Sequence, residues 1–269
     1  MPGRKVRLAA LGPEGTFSHA LARHLADEVV LLPTIGAVFA HVAAGKGDGL
    51  VPIENSEAGG VGPALDGLLR NPVFITAEVY VPIRFHLASF VKITEIDTIY
   101  AHPQAHEQCS GRVDALGVPV VHTPSNAASA RAVRPGTAAA AVTTAEAAAL
   151  CGIPVVAGNV QDAEENTTRF VVISTEPYQG RDAGKCSVLL DPKADRAGLL
   201  ADLLAVFARL GINLTRIESR PAKRGMGRYV FFIDGEAGPA WVGAVADLSS
   251  LAVVKEFGCY PRLEAAGWR

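Results

Sequence analysis

Short apolar runs alternate with segments of helical pattern from residue 5 to about residue 175. Runs of this length, bounded by polar residues, are typical of buried strands. Helix starts between them carry recognisable signals: Thr143-x-x-Glu146 has the spacing of a capping box, and Ser125 is suited to an N-cap. Strands that alternate with helices predict an α/β fold with mostly parallel sheets. The predicted strands are 6–11, 29–32, 49–53, 73–76, 99–101, 118–121 and 138–142.

The pattern changes after residues 176–184, a polar stretch with Pro and Gly that is typical of a linker. A strand at 187–190 is followed by a helix whose apolar residues recur at i, i+3 and i+4 from Leu199 to Leu210. Strands at 212–219 and 228–234, a helix near 239–251 and a strand near 253–259 then complete the order βαββαβ. This order predicts a ferredoxin-like module.

The composition limits the classes of function. A chain of 269 residues suggests about two domains, and 49% hydrophobic residues are ample for a core. The net charge of −2 gives no overall attraction to nucleic acid or to an anionic membrane. The longest uncharged stretch, 29–44, is shorter than the ~20 residues of a membrane helix. Four widely spaced cysteines without a CxxC motif are a poor disulfide framework and a poor zinc pattern. We therefore expect a cytoplasmic protein with no nucleic-acid or membrane partner.

Three polar segments at strand ends are candidates for an anion site. Gly12–Ser18 opens a helix after the first strand, and a helix N-terminus favours anions. Asn55 and Ser56 end another strand, where they are suited either to bind a carboxylate or to form an ordinary turn. Thr168 and Arg169 place a hydroxyl and a guanidinium at the start of the apolar run 170–173. For Arg169, a structural salt bridge is an equally open interpretation.

A metal site at His102 and His106 is not expected. Pro103 makes His102 a residue that precedes the helix, so the two imidazoles do not share a helical face. No third ligand lies nearby in the sequence. Cys109 is interpreted as a buried small apolar residue rather than a nucleophile.

These segments, taken in order, resemble the motifs of the prephenate dehydratase family along nearly the whole chain. The segment 212–221 is similar to the family's ACT regulatory domain. Each motif is weak alone, but five in the same order are specific. The other four are Gly12–Ser18, Pro52–Ser56, His102-Pro103-Gln104 with Gln108-Cys109, and Asn166–Phe170.

The resemblance implies a two-lobed α/β catalytic region of the periplasmic-binding-protein type II class, followed by a ferredoxin-like βαββαβ ACT domain. We assign residues 1–180 to the catalytic region and 185–269 to the ACT domain. Lobe one then comprises about 5–78 and 158–175, and lobe two about 79–157. The resemblance also implies a homodimer or a homotetramer.

The implied activity is the decarboxylative dehydration of prephenate to phenylpyruvate in L-phenylalanine biosynthesis, with no cofactor and no metal. By resemblance, Thr168 hydrogen-bonds the departing hydroxyl and Asn55 belongs to the catalytic set. Glu54 is the stronger acid that we expect beside them. The residues expected to contact the substrate are Thr16, Ser56, Gln108, Ser125, Arg169 and Phe170.

The resemblance further implies feedback by L-phenylalanine bound to the ACT domain. The sequence departs from the family at Leu199, where an alanine is usual, and the larger side chain adds bulk to the expected effector pocket. Ala101 also stands where the family often has serine. The expected effector residues are Gly198, Leu199, Leu200, Asn213, Leu214, Glu218, Ser219, Arg220 and Pro221.

Two other functions stay open at this point. An arogenate dehydratase would use the same motifs on a substrate with an amino group in place of the keto group. A non-catalytic amino-acid sensor would combine a binding cleft with an ACT module, although Thr168 and the Glu54-Asn55-Ser56 segment argue against it.

Overall fold

The computed structural model describes residues 6–224 and 227–264. Residues 1 and 269, the outer ends of the two predicted domains, lie outside this range. The strands form three sheets of seven, five and four strands. The prediction of a two-lobed α/β region followed by a βαββαβ module is confirmed.

The chain begins with the elements of lobe one. They are β1 (Arg7–Leu11), α1 (Phe17–Leu25), β2 (Glu28–Leu32), α2 (Ile35–Ala43), β3 (Asp48–Asn55), β4 (Gly59–Gly60), α3 (Gly62–Arg70) and β5 (Phe74–Pro82).

Lobe two follows, and the chain then returns to lobe one. The elements are β6 (His86–Ser89), β7 (Thr98–Ala101), α4 (Pro103–Glu107), α5 (Ser110–Val113), β8 (Val120–His122), α6 (Asn126–Ala132), β9 (Ala139–Thr143), α7 (Ala145–Leu150), β10 (Val155–Ala157) and the returning strand β11 (Thr167–Ser174).

The C-terminal βαββαβ module completes the described chain. Its elements are β12 (Lys185–Pro192), α8 (Leu199–Arg209), β13 (Leu214–Pro221), β14 (Tyr229–Glu236), α9 (Ala240–Leu248), β15 (Ala252–Tyr260) and the short strand β16 (Arg262–Leu263). Among the described residues, we find no helix with the length and apolar character needed to cross a membrane.

The sheet of lobe one has the order β16-β5-β11-β3-β1-β2, with β4 paired to β3. The strands β1, β2 and β3 are parallel, whereas β11 runs antiparallel to both β3 and β5. The chain therefore leaves lobe one after β5 and re-enters it at β11. This return places Thr168 directly opposite Asn55 on the neighbouring strand.

The C-terminal module forms an antiparallel sheet of order β13-β14-β12-β15, and Phe207 of α8 and Trp241 of α9 share a core with it. Its last strand, β16, pairs in parallel with β5 of lobe one. The sequence analysis did not predict this strand. It ties the end of the described chain to the catalytic sheet.

Two of the four cysteines form a disulfide. Cys186 on β12 and Cys259 on β15 are register partners and are bonded to each other, whereas Cys109 and Cys151 are free thiols. The expectation that the cysteines are a poor disulfide framework is wrong for this pair. The two residues are 73 positions apart, and only the pairing of the two strands brings them together.

Helices α2 and α3 pack unusually closely at Gly67. A Cβ atom on Gly67 would lie 2.2 Å from Cε2 of Phe39, whose side chain is fully buried. Gly243, inside α9, is the opposite case, because a Cβ atom there would have no heavy atom within 4 Å. The two helical glycines therefore form a matched pair.

We predict that Gly67→Ala lowers the free energy of unfolding by about 1–3 kcal/mol, because the new methyl group overpacks Phe39. Gly243→Ala should raise it by up to about 1 kcal/mol, because alanine is the better helix former. Urea unfolding followed by circular dichroism measures both changes. Equal shifts in the same direction would contradict the close packing of α2 and α3.

Candidate active site

The centre of the site is a hydrogen bond between two neighbouring strands. Asn55 Nδ2 donates to Thr168 Oγ1 over 2.9 Å, and Thr168 is 8% exposed. The Asn55 Oδ1 atom accepts from the backbone N–H groups of Glu57 and Ala58, at 3.1 and 2.9 Å. This turn fixes which way the Asn55 amide points. Because Thr168 Oγ1 accepts from Asn55, its own O–H proton is available for donation to a ligand.

Neutral amides extend this hydrogen bond across the cleft between the lobes. Asn55 Nδ2 also donates to Asn166 Oδ1 over 2.7 Å, and Asn166 Nδ2 donates to Gln108 Oε1 over 3.1 Å. Gln108 lies just after α4 in lobe two, so the network joins the two lobes. The structure thus brings together three of the predicted site residues, Asn55, Gln108 and Thr168. The sequence analysis missed Asn166, although it lies in the polar run that precedes β11.

A cavity of about 260 Å³ adjoins the network at Asn166 and Gln108. Three of its lining residues are acidic and none is a cation. An anion in this cavity would therefore depend on neutral hydrogen-bond donors. The lining residues are Glu57, Ala58, Gln104, Glu107, Gln108, Asp162, Ala163 and Asn166.

Ser56 stabilises the return of the chain into lobe one. Its Oγ atom accepts from the backbone N–H of Thr167 over 3.0 Å and donates to the carbonyl of Glu165 over 3.3 Å. The Ser56 hydroxyl, which the resemblance assigns to substrate contact, is thus hydrogen-bonded to the protein backbone.

Thr16 and Ser125 cap helices at the interface of the lobes. Thr16 Oγ1 accepts from the N–H of His19 over 3.3 Å, and Ser125 Oγ accepts from that of Ala128 over 3.0 Å. The N-terminal end of α1 touches lobe two, because Thr144 Oγ1 donates to the carbonyl of Gly15 over 2.7 Å. The lobes are thus in direct contact at this point.

A second and larger cavity, of about 430 Å³, lies on the α1 side of this contact. Thr16, Arg84 and His86 line it, whereas Asn55, Gln108 and Thr168 do not. Burial and the neighbouring charge of Arg84 lower the pKa of His86 below its usual value. This cavity is larger than the one beside the network, but it contains none of the residues of the Thr168 network.

Arg169 points to the opposite face of β11 from Thr168. Its side chain is 3% exposed and binds Glu78 Oε2 through Nε over 2.7 Å. Its other nitrogens donate to Asp234 Oδ2 over 2.6 Å and to Tyr260 Oη over 3.0 Å, and both partners belong to the C-terminal module. Burial alone would lower the pKa of Arg169, but Asp234, Tyr260 and Glu78 raise it above its usual value. Arg169 is therefore charged and fully occupied, and it is not placed to bind a substrate carboxylate.

Glu54 and Phe170 also lie outside the cavity. Glu54 Oε2 is 3.5 Å from Arg169 Nη1 and 3.4 Å from Nε of Arg216, which belongs to β13. The structure therefore does not place Glu54 as an acid beside Thr168. Phe170 is 2% exposed and packs in the main core, so the structure places it in the interior rather than against a substrate.

The family model for prephenate dehydratase matches residues 8–178, and the model for the ACT domain matches residues 194–239. The chain belongs to the prephenate dehydratase family. A prephenate dehydratase of Amycolatopsis methanolica is 37% identical over 240 residues, which cover 86% of this chain and 79% of that protein.

Two further relatives extend the comparison. A bifunctional chorismate mutase/prephenate dehydratase of Stutzerimonas stutzeri is 38% identical over 237 residues, and these cover 85% of this chain but 65% of that protein. The crystal structure of the prephenate dehydratase of Arthrobacter aurescens in complex with L-Phe has a TM-score of 0.86 and 32% identity. It covers 96% of this chain and 90% of that one.

The ACT domain of this family member presents one face of β13 to lobe one. The residues of β13 alternate between half-buried and exposed. Glu218 lies against Gly60, and Arg220 Nη2 is 3.6 Å from Asp66 Oδ1. Ser219 and Pro221, the other two residues of the predicted effector motif, are exposed on the opposite face.

The remaining predicted effector residues lie on other elements of the ACT domain. Gly198, with a φ of 79°, precedes α8, and Leu199 lines a cavity of about 360 Å³ beside the ends of β12 and β14. Leu200 is 38% exposed. Asn213 donates to Glu236 Oε1 over 3.0 Å, and Leu214 begins β13. Within one chain, the predicted effector residues thus do not converge on a single cavity.

Two of the histidines of lobe two, His106 and His122, are hydrogen-bonded to each other. His102 caps α4 at its N-terminus, whereas His106 contacts His122 over 3.2 Å and Asp114 over 3.0 Å. Within residues 6–224 and 227–264, no three His, Cys, Asp or Glu side chains are arranged to hold a metal ion.

We predict that Cys109 resists iodoacetamide in the native protein at pH 8, whereas the half-buried Cys151 reacts. Cys109 is fully buried, and burial together with the charge of Asp162 raises the pKa of its thiol to about 12. The reactive thiolate is therefore suppressed. Mass spectrometry after labelling measures this, and unfolding in urea should make both thiols reactive. Equal labelling rates of Cys109 and Cys151 in the native protein would contradict the burial of Cys109.

Proposed function

We propose that this protein is a prephenate dehydratase, which converts prephenate to phenylpyruvate, carbon dioxide and water. The observation that carries the proposal is the oriented Asn55–Thr168 pair at the cleft, joined to lobe two through Asn166 and Gln108. Membership of the family supports it.

In the proposed reaction the bond between the ring and its carboxylate breaks, and the electron pair aromatises the ring as the ring hydroxyl departs. The departing oxygen needs a proton or strong hydrogen bonds. Thr168 donates its O–H to that oxygen, while Asn55 Nδ2 holds the Thr168 oxygen from the other side. A threonine hydroxyl is a weak acid, so Thr168 hydrogen-bonds the departing oxygen, and the proton that completes the water molecule comes from solvent. Glu54 takes no part in this step, because its carboxylate lies beside Arg169 and Arg216.

Arogenate is a second candidate substrate, and one observation favours it. The cavity beside the network is lined by the carboxyl groups of Glu57, Glu107 and Asp162. A negative wall attracts the ammonium group of arogenate and repels the dianion prephenate. Parallel assays of the two substrates therefore decide between the two activities.

We predict that Thr168→Ala lowers kcat by roughly 100-fold or more, because it removes the donor to the departing hydroxyl. Thr168→Ser keeps the hydroxyl and should retain activity within about 10-fold of the parent. Ultraviolet detection of phenylpyruvate, with unchanged circular dichroism as the folding control, measures both. Near-normal turnover of Thr168→Ala would contradict the role of Thr168. Absence of turnover of either substrate by the parent would favour a non-catalytic sensor.

We propose further that the protein is a homodimer or homotetramer and that its ACT domain binds L-phenylalanine as a feedback inhibitor. The match to the ACT domain and the intact segment Glu218-Ser219-Arg220-Pro221 support the effector site. The structural relative in complex with L-Phe supports the choice of amino acid.

We predict that Leu199→Ala tightens L-phenylalanine binding by roughly 10-fold, because it removes bulk at the expected pocket. Isothermal titration calorimetry on the full chain measures the change, and L-alanine serves as the negative ligand. The absence of binding by the parent at millimolar L-phenylalanine would contradict the proposed regulation.

A further inference from the structure

Strands β3 and β11 carry two different sets of side chains on their two faces. Asn55 and Thr168 are register partners and meet on the cleft face, whereas Glu54 and Arg169 are the next register partners and meet on the face toward the ACT domain. Successive residues of a strand point to opposite faces. Asn55 therefore directly follows Glu54 in the chain, and Thr168 directly precedes Arg169.

The charged pair belongs to a cluster of seven ionic side chains, of which the ACT domain supplies four. Three cations face four anions, and five of the seven side chains are largely buried. Lobe one contributes Glu54, Glu78 and Arg169, and the ACT domain contributes Lys185, Arg216, Glu218 and Asp234.

The position of Asp234 is itself fixed within the ACT sheet. Ser187 Oγ donates to Asp234 Oδ1 over 2.5 Å and also contacts Tyr260 Oη, so three ACT strands hold the acceptors of Arg169. A buried guanidinium must keep its partners, because a buried charge without compensation is strongly unfavourable. A shift of β14 or β15 against lobe one therefore moves Arg169 or breaks its ion pair.

We propose that Arg169 is a positioning residue through which the ACT domain sets the geometry of the Asn55–Thr168 pair. This inference rests on the proposed function. Arg169 does not touch the substrate. It transmits the placement of Asp234 and Tyr260 to the backbone of β11, one residue from Thr168, while Glu54 conveys the placement of Arg216 to β3.

The test distinguishes this positioning role from that of an ion pair that only stabilises the contact between lobe one and the ACT domain. Asp234→Asn keeps the shape of the side chain but removes its charge. We expect kcat to fall roughly 10- to 100-fold, because small displacements of catalytic groups have effects of this size. The KM should stay within about 2-fold, since Arg169 makes no substrate contact. The matched control is Asp247→Asn, which breaks the exposed pair with Arg209 in the same domain and should leave kcat unchanged.

A double-mutant cycle identifies the group through which Asp234 acts. In the Thr168→Ala background, Asp234→Asn should lower the residual kcat by less than about 2-fold, because the hydroxyl that it positions is gone. A purely structural effect would instead multiply with that of Thr168→Ala. Multiplicative losses, or a single variant with parental kcat, overturn the proposal.

Two further measurements keep the test decisive. Where Asp234→Asn does not fold, Tyr260→Phe replaces it in the same cycle, since it removes only one acceptor of Arg169. Hydrogen exchange of the peptide 167–174 should be faster in Asp234→Asn than in the control Asp247→Asn. A parent without turnover refutes the proposed function. In that case exchange alone decides, and unchanged exchange overturns the coupling.

Discussion

The antiparallel pairing of β3 with β11 is the constraint on which the site depends. It joins two segments more than 110 residues apart and aligns Asn55 with Thr168. The chain must leave lobe one and return to build it, because β11 lies in the sheet between β3 and β5 but follows the whole of lobe two along the chain. The central hydrogen bond of the site thus involves Thr168, near the start of the strand that returns the chain from lobe two.

The buried charges on one face of this strand pair contribute little to the free energy of unfolding. A buried ion pair loses much hydration, and apolar residues of similar volume often give equal or greater stability. The ion pairs instead restrict orientation, because the planar guanidinium of Arg169 donates only to acceptors at defined positions around it. Asp234, Glu78 and Tyr260 meet that requirement from two domains. The cluster therefore favours one placement of the ACT domain over others that would bury similar area.

The sequence could predict most of the strands and helices and the importance of Asn55 and Thr168, but not the direction of Arg169. The alternation of strands and helices and the i, i+3, i+4 stripe of α8 are local patterns, and the motifs identify Asn55 and Thr168. Along β11, however, residues 168–171 are all buried, so no alternation marks the two faces. The partners of Arg169 lie 65 and 91 positions later in the chain. Cys186 and Cys259 were missed as a disulfide for the same reason, and β16, with two residues, is too short to give a pattern.

The separation of charge between the two faces is suited to the chemistry proposed. A guanidinium bound to the carboxylate that leaves as carbon dioxide would stabilise the substrate more than the transition state, in which that charge moves into the ring. Neutral donors avoid this loss, and the network of Asn55, Asn166, Thr168 and Gln108 contains no charged group. The same strand is also linked to the ACT domain through Arg169. With Arg169 on the far face, the strand has that link and the cation stays away from the bond that breaks.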